Sequence, residues 1–176
     1  MKVIFLDFDG VLNCMDCDEE IGGTFFSNPI VPKHVAPLNK IIELTGAKVI
    51  LSTSHRRIRS LDANIALLEK GGFKGEVVGQ TPILKKCESR HEEIEAWLKE
   101  NPVEGFVILD DGLSAEIKGH FVFCHLYGPK SIATMQGETH TDIVNWYKEH
   151  DPKGCIEGGL DMFHVEEAVQ ILNKKV

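Results

Sequence analysis

Lys2-Val3-Ile4-Phe5-Leu6-Asp7-Phe8-Asp9-Gly10-Val11-Leu12 reads as an apolar strand that runs out into two alternating carboxylates and a glycine. A strand buried on both faces of a sheet is apolar at every position until it leaves the sheet. Two aspartates at positions i and i+2 point to the same side of such a strand. Like charges held that close repel unless a cation or anion chemistry keeps them together. Gly10 lets the chain turn sharply and brings backbone N–H groups near a ligand. The stretch therefore reads as a carboxylate nucleophile, Asp7, beside an acid/base carboxylate, Asp9. A divalent metal would lie between them and a phosphoryl group.

Outward from this stretch, strand and helix patterns alternate. Apolar runs at 2–8, 47–53, 75–78, 105–110 and 120–126 predict strands. Helical spacing links Val35, Leu38, Ile41 and Ile42, then Ile58, Leu61, Ile65 and Leu68, then Ile94, Trp97 and Leu98. Ser89 and Glu92 have capping-box spacing, which starts the third helix at Arg90. Val165, Ala168, Val169 and Leu172 mark a terminal helix. This alternation predicts an α/β fold, a parallel sheet with helices on both faces. In such sheets ligands bind beyond the carboxyl ends of the strands, so the chemistry carried by those ends should converge. The second strong strand closes in Ser52-Thr53-Ser54, whose hydroxyls and following N–H groups suit phosphate oxygens. The fourth closes in Asp110-Asp111-Gly112, a second pair of carboxylates.

These strand ends resemble the motifs of the haloacid dehalogenase superfamily, over residues 1 to about 126. Asp7-Phe8-Asp9-Gly10-Val11 is similar to its motif I. The resemblance implies a three-layer, Rossmann-like fold with a minimal cap, and Asp7 as nucleophile. Asp9, a residue that the dehalogenases of the superfamily lack, implies phosphoryl chemistry, as proton donor to the leaving group. Motif II falls at Thr53 with Ser54 as a main-chain donor, Ser52 being the alternative by one register. Motif IV, Asp110-Asp111, implies a magnesium site built from Asp7, the backbone carbonyl of Asp9, and Asp110, with Asp111 direct or through water. Motif III is a cation. Arg90 is preferred because it adds its charge to the positive end of a helix, and Lys85 and Lys86 are the competitors. Leu51-Ser-Thr-Ser-His55-Arg56, Arg90-His-Glu-Glu-Ile-Glu-Ala-Trp97-Leu98 and the late Gly159-Leu160-Asp161 resemble the small phosphatase-like domains linked to RNA-repair proteins.

Size and composition bound the reading. The 176 residues are expected to form one domain, and the net charge of −8 argues against coating of nucleic acid or anionic membrane. No apolar run has the length to span a bilayer, and Asp7 and Asp9 interrupt any leader-like start. Five cysteines fit a reducing, cytoplasmic setting. Cys14 and Cys17 form a C-x-x-C without a second pair at zinc spacing, so they are expected to be free thiols in a loop. The gaps 12–47 and 54–90 are too short for a full cap domain, which predicts an open site. Of the 19 cationic residues, Arg56, Arg57, Arg59, Lys85, Lys86 and Arg90 fall around motifs II and III. That cluster suits a polyanionic substrate, a phosphorylated small molecule or a nucleic-acid end. His55 is placed to touch it. No membrane and no obligate protein partner are expected. Residues 127–157, with a capping-box spacing at Thr139–Asp142, are expected to fold over the cleft as a specificity insertion, with Lys130 and His140 as contacts. The expected activity is magnesium-dependent phosphomonoester hydrolysis. A phosphotransferase and a silent phosphate-binding module are the alternatives.

Overall fold

The structure is a computed structural model, and it describes residues 1–17, 30–85, 89–128, 145, 149 and 158–174. Five strands form one all-parallel sheet: β1 (Lys2–Leu6), β2 (Lys48–Leu51), β3 (Val77–Gln80), β4 (Gly105–Asp110) and β5 (Phe121–Phe123). Their spatial order is β3-β2-β1-β4-β5. Among the described residues four helices with both ends defined accompany them: α1 (Pro32–Thr45), α2 (Leu61–Lys70), α3 (Arg90–Glu100) and α4 (Phe163–Asn173). This is the expected α/β, Rossmann-like arrangement.

The period of two along each strand divides the core. Ile4, Leu6, Val49, Leu51, Val107 and Leu109 face Val35, Leu38 and Ile41 of α1, Leu68 of α2, and Ala168 and Leu172 of α4. Val3, Phe5, Ile50, Phe106 and Ile108 face the other way, onto Ile94, Trp97 and Leu98 of α3. The chain winds from β1 out to β3 with its connections on one face. It then returns to β4 and β5 with its connections on the opposite face, as crossovers of one hand require when direction reverses. The reversal lies between β1 and β4, where Leu6 pairs with Leu109. The topological switch point of the sheet is therefore the crevice beyond those two residues.

Several boundaries differ from the sequence reading. β1 ends at Leu6 rather than at residue 8, because the chain turns back on itself: Leu12 N–H donates to Phe8 O at 2.8 Å. β3 lies two residues beyond the predicted 75–78, and β5 is only three residues long. Ile58 lies outside α2, which Ser60 caps by accepting from Ala63 N–H at 3.2 Å. α3 starts at Arg90 with Ser89 as its cap residue, but no side-chain cap hydrogen bond forms. Among the described residues no helix is long and apolar enough to cross a membrane. Of the expected insertion 127–157, residues 129–157 lie outside the described residues apart from Asn145 and Glu149, Lys130 and His140 included, as does Lys86.

Candidate active site

Pairing of β1 with β4 fixes the first contact of the site. Asp7 N–H donates to Leu109 O at 3.0 Å, so Asp7 and Asp110 leave adjacent strands at the same level. Both are buried. Asp7 Oδ1 accepts from Phe8 N–H and Asp110 Oδ1 from Gly112 N–H, each at 2.8 Å. Their remaining oxygens, Asp7 Oδ2 and Asp110 Oδ2, both accept from Nη1 of Arg90, the first residue of α3. Asp111 comes next in the chain and leans over Gly10. That glycine has φ +71°, and a Cβ there would run into the Asp111 carboxylate. Gly10 is thus required twice, for its left-handed turn and for the close approach of the acid.

Carboxylate oxygens of Asp7, Asp110 and Asp111 lie within 4.8 Å of one another. Burial pushes the Asp110 carboxyl up, with the charge of Asp7 adding to it. Burial and the same charge push Asp111 up to about 6. Burial works against the charge on Arg90, but Asp7 and Asp110 outweigh it and hold the guanidinium protonated. Three hard oxygen donors with more negative charge than one guanidinium balances are a donor set suited to magnesium.

Asp9 has a different environment. Its Oδ1 accepts from Asn13 Nδ2 at 3.1 Å, and Asn13 Oδ1 accepts from Gly10 N–H at 2.9 Å. His55 Nε2 lies 3.1 Å from Asp9 Oδ2, while His55 Nδ1 faces the Arg59 guanidinium. A guanidinium can only donate, so Nδ1 accepts and the imidazole proton sits on Nε2, where it donates to Asp9. Burial of Asp9 opposes ionisation. Hydrogen bonds from His55 and Asn13 and the charge of Arg90 outweigh it, leaving the carboxyl below its ordinary range.

After β2 the chain enters a single 3-10 turn, Ser54–Arg57. Thr53 caps it, its hydroxyl accepting from His55 N–H at 3.3 Å. Ser52 N–H donates to Leu6 O at 2.9 Å, which sets Ser52 beside the start of the loop that carries Asp7 and Asp9. The Ser52 hydroxyl is buried without a hydrogen-bond partner among the described residues, and Ser54 is exposed. Arg56 is not at the mouth. It is 5% exposed, donates to the carbonyls of Ser52 and Thr53, and pairs with Glu93 of α3. Arg57 pairs with the other Glu93 oxygen at 3.0 Å. Two members of the basic cluster thus share one carboxylate, and of Arg90 and Lys85 it is Arg90 that reaches the carboxylates, with Lys85 exposed.

Asn13, the His55–Asp9 contact and Glu93 were not read from the sequence. Their partners are separated by a tight loop or by 36 to 46 residues, so only a polar residue interrupting an apolar run, as Asn13 does after Val11-Leu12, gave a local signal. Cys14 and Cys17 are joined as a disulfide rather than being free thiols. The short turn Met15–Cys17 brings them together, with Cys17 N–H donating to Cys14 O at 3.1 Å.

The model of one protein family, described as the HAD domain in Swiss Army Knife RNA repair proteins, matches residues 3–128. The matched span includes every residue placed around the site above. Neither the curated proteins nor the solved structures contain a match to this chain.

Proposed function

The chain belongs to the family of HAD domains in Swiss Army Knife RNA repair proteins, and on that premise we propose that it is a magnesium-dependent phosphomonoesterase. The family lies within a superfamily of phosphatase-type hydrolases. One observation carries the reading: Asp7, Asp110 and Asp111 converge at the switch point of the sheet, with Arg90 bridging two of them and Asp9 two residues from Asp7.

Asp7 attacks phosphorus in line, and the resulting aspartyl-phosphate divides one difficult hydrolysis into two easier steps. Asp9 gives its proton to the departing oxygen and then takes one from the water that splits the intermediate. Arg90 balances the charge of Asp7 and of the incoming phosphate from the first turn of α3. Thr53 and Ser54 offer hydroxyls and a backbone N–H to the phosphoryl oxygens, with the Ser52 hydroxyl beside them, while Gly10, its own N–H held by Asn13, lets the loop pass close to the phosphate. Asp7, Asp110, Asp111 and the carbonyl of Asp9 would hold the metal, which when bound screens the nucleophile from the phosphate. The family description favours a phosphorylated nucleic-acid end as substrate over a free metabolite.

The test is turnover of p-nitrophenyl phosphate with magnesium or with EDTA, beside release of phosphate from 3′- and 5′-phosphorylated oligonucleotides. Magnesium-dependent hydrolysis is expected, and Asp7→Asn should abolish it while the folded circular dichroism spectrum is kept. Phosphate passed to an added alcohol in preference to water would make the chain a phosphotransferase. Tight phosphate binding without turnover would make it a binding module.

A further inference from the structure

We propose that Cys14 and Cys17, once reduced, form with His34 a binding site for a soft divalent cation, of which zinc is the type. The site is separate from the carboxylate cluster, and the proposal does not depend on the phosphatase reading.

C-x-x-C is a zinc-ligand spacing, and what the sequence lacked was a further donor near the pair. The fold supplies one from α1. His34 stands in the first turn of that helix, and its Nε2 lies 3.3 Å from Cys17 Sγ. All three side chains are buried, and one ligand atom from each lies within 4.8 Å of the others. Tetrahedral zinc, with bonds of ~2.3 Å to sulfur and ~2.0 Å to nitrogen, needs its donors no more than ~4 Å apart. The spread is therefore already close to what one ion requires.

His34 is also oriented as a ligand. Its Nδ1 lies 2.9 Å from the Leu160 carbonyl. A carbonyl can only accept, so the neutral ring carries its proton on Nδ1 and turns the Nε2 lone pair toward Cys17. A second hydrogen bond of this kind, from the ring nitrogen opposite the metal to a backbone carbonyl, is how metal-bound histidines are held. The backbone that supplies the carbonyl is pressed against both donors. A Cβ on Gly158 would lie 3.0 Å from Cys14 Cβ, and one on Gly159 would lie 2.6 Å from His34 Cε1. Both glycines have positive φ, so the approach depends on their lacking side chains.

The disulfide is then the oxidised, metal-free form of the same site. Two electrons from a phosphine or dithiol reductant break the S–S bond, and two protons complete the thiols. Binding of the cation releases those two protons and leaves two thiolate ligands. The three protein donors leave one tetrahedral position for solvent or a further donor. Hard magnesium, which prefers oxygen, does not compete for this site.

The experiment uses the full chain, reduced with a phosphine, freed of reductant under argon and titrated with cobalt(II) or zinc(II) alone. Thiolate-to-cobalt charge-transfer absorption should appear and saturate. Zinc should slow alkylation of Cys14 and Cys17, read peptide by peptide, by about an order of magnitude, and a chelator should restore it. Replacing the ligand in His34→Asn should weaken cobalt binding by at least the roughly 10–100-fold that loss of an outer-sphere partner costs. Reduced wild-type protein in which zinc leaves both cysteines fully reactive overturns the proposal, whether or not the variant folds. So does an unchanged cobalt spectrum in a folded His34→Asn. Either result would leave the pair as a disulfide element alone.

Discussion

In Asp9 the carboxyl is held ionised by His55 and Asn13, the state required of the base in the second half of the proposed reaction. The first half needs the acid. A phosphate dianion brought against Asp9 raises its pKa through like-charge repulsion, so substrate arrival itself loads the proton. His55 sets the opposing term. Its Nε2–H bond lowers the Asp9 pKa and fixes the carboxylate relative to Asp7, so His55 acts as a positioning residue. In His55→Ala the limb of the pH–rate profile that belongs to Asp9 should move to higher pH. At the same time kcat should fall about 10–100-fold, less than the roughly 10²–10⁴-fold that a general acid contributes, because Asp9 itself is kept. The fall should be larger for alkyl phosphates than for p-nitrophenyl phosphate, whose leaving group needs little protonation. An unmoved limb with reduced kcat would show that His55 serves the turn Ser54–Arg57 and not Asp9.

At the scale of elements, one buried carboxylate ties the turn after β2 to α3. Glu93 accepts from Arg56, from Arg57 at 3.0 Å, and from Leu84 N–H at 3.1 Å. Through this residue the helix that carries Arg90 is braced against the turn that carries His55. Glu93→Gln would leave the Arg56 guanidinium buried without its counter-charge, a change that costs about 3–5 kcal/mol when one partner of a buried pair is removed. A clear drop in the urea midpoint is expected, and Arg56→Ala should likewise act on stability before it acts on KM. A variant with unchanged stability and a raised KM would return Arg56 to the substrate-binding role that the sequence suggested. Strand ends were legible because the rule that ligands gather beyond them needs only the order of apolar runs and polar stops, and Asp7, Asp110 and Arg90 do gather there. Partners across the sheet were not legible. An Arg-Arg pair in sequence reads the same whether it faces solvent or a glutamate from another helix. The same limit applied to Cys14-x-x-Cys17, whose partner His34 comes from a separate element.

Across the whole molecule the excess of negative charge makes the site a lever on stability. Asp110 and Asp111 have raised carboxyl pKa values in the folded chain, Asp111 reaching about 6 from an ordinary 3.8. Between those two values the folded state binds more protons than the unfolded state, so stability falls as pH rises through that window and stays low above it. Lowered groups do the reverse: Asp9, Asp161 and Glu104 gain stability as pH rises, and their window lies at and below about pH 4. The two windows hardly overlap, which makes the first measurable. In EDTA the melting temperature should decline from about pH 4 to pH 6, and Asp111→Asn should flatten that decline. Magnesium binds the ionised carboxylates and not the protonated ones, so the stabilisation it adds should grow with pH over the same range. A melting temperature that rises through this window in EDTA, or a magnesium increment independent of pH, would mean that the carboxylates at the ends of β1 and β4 do not share one cation.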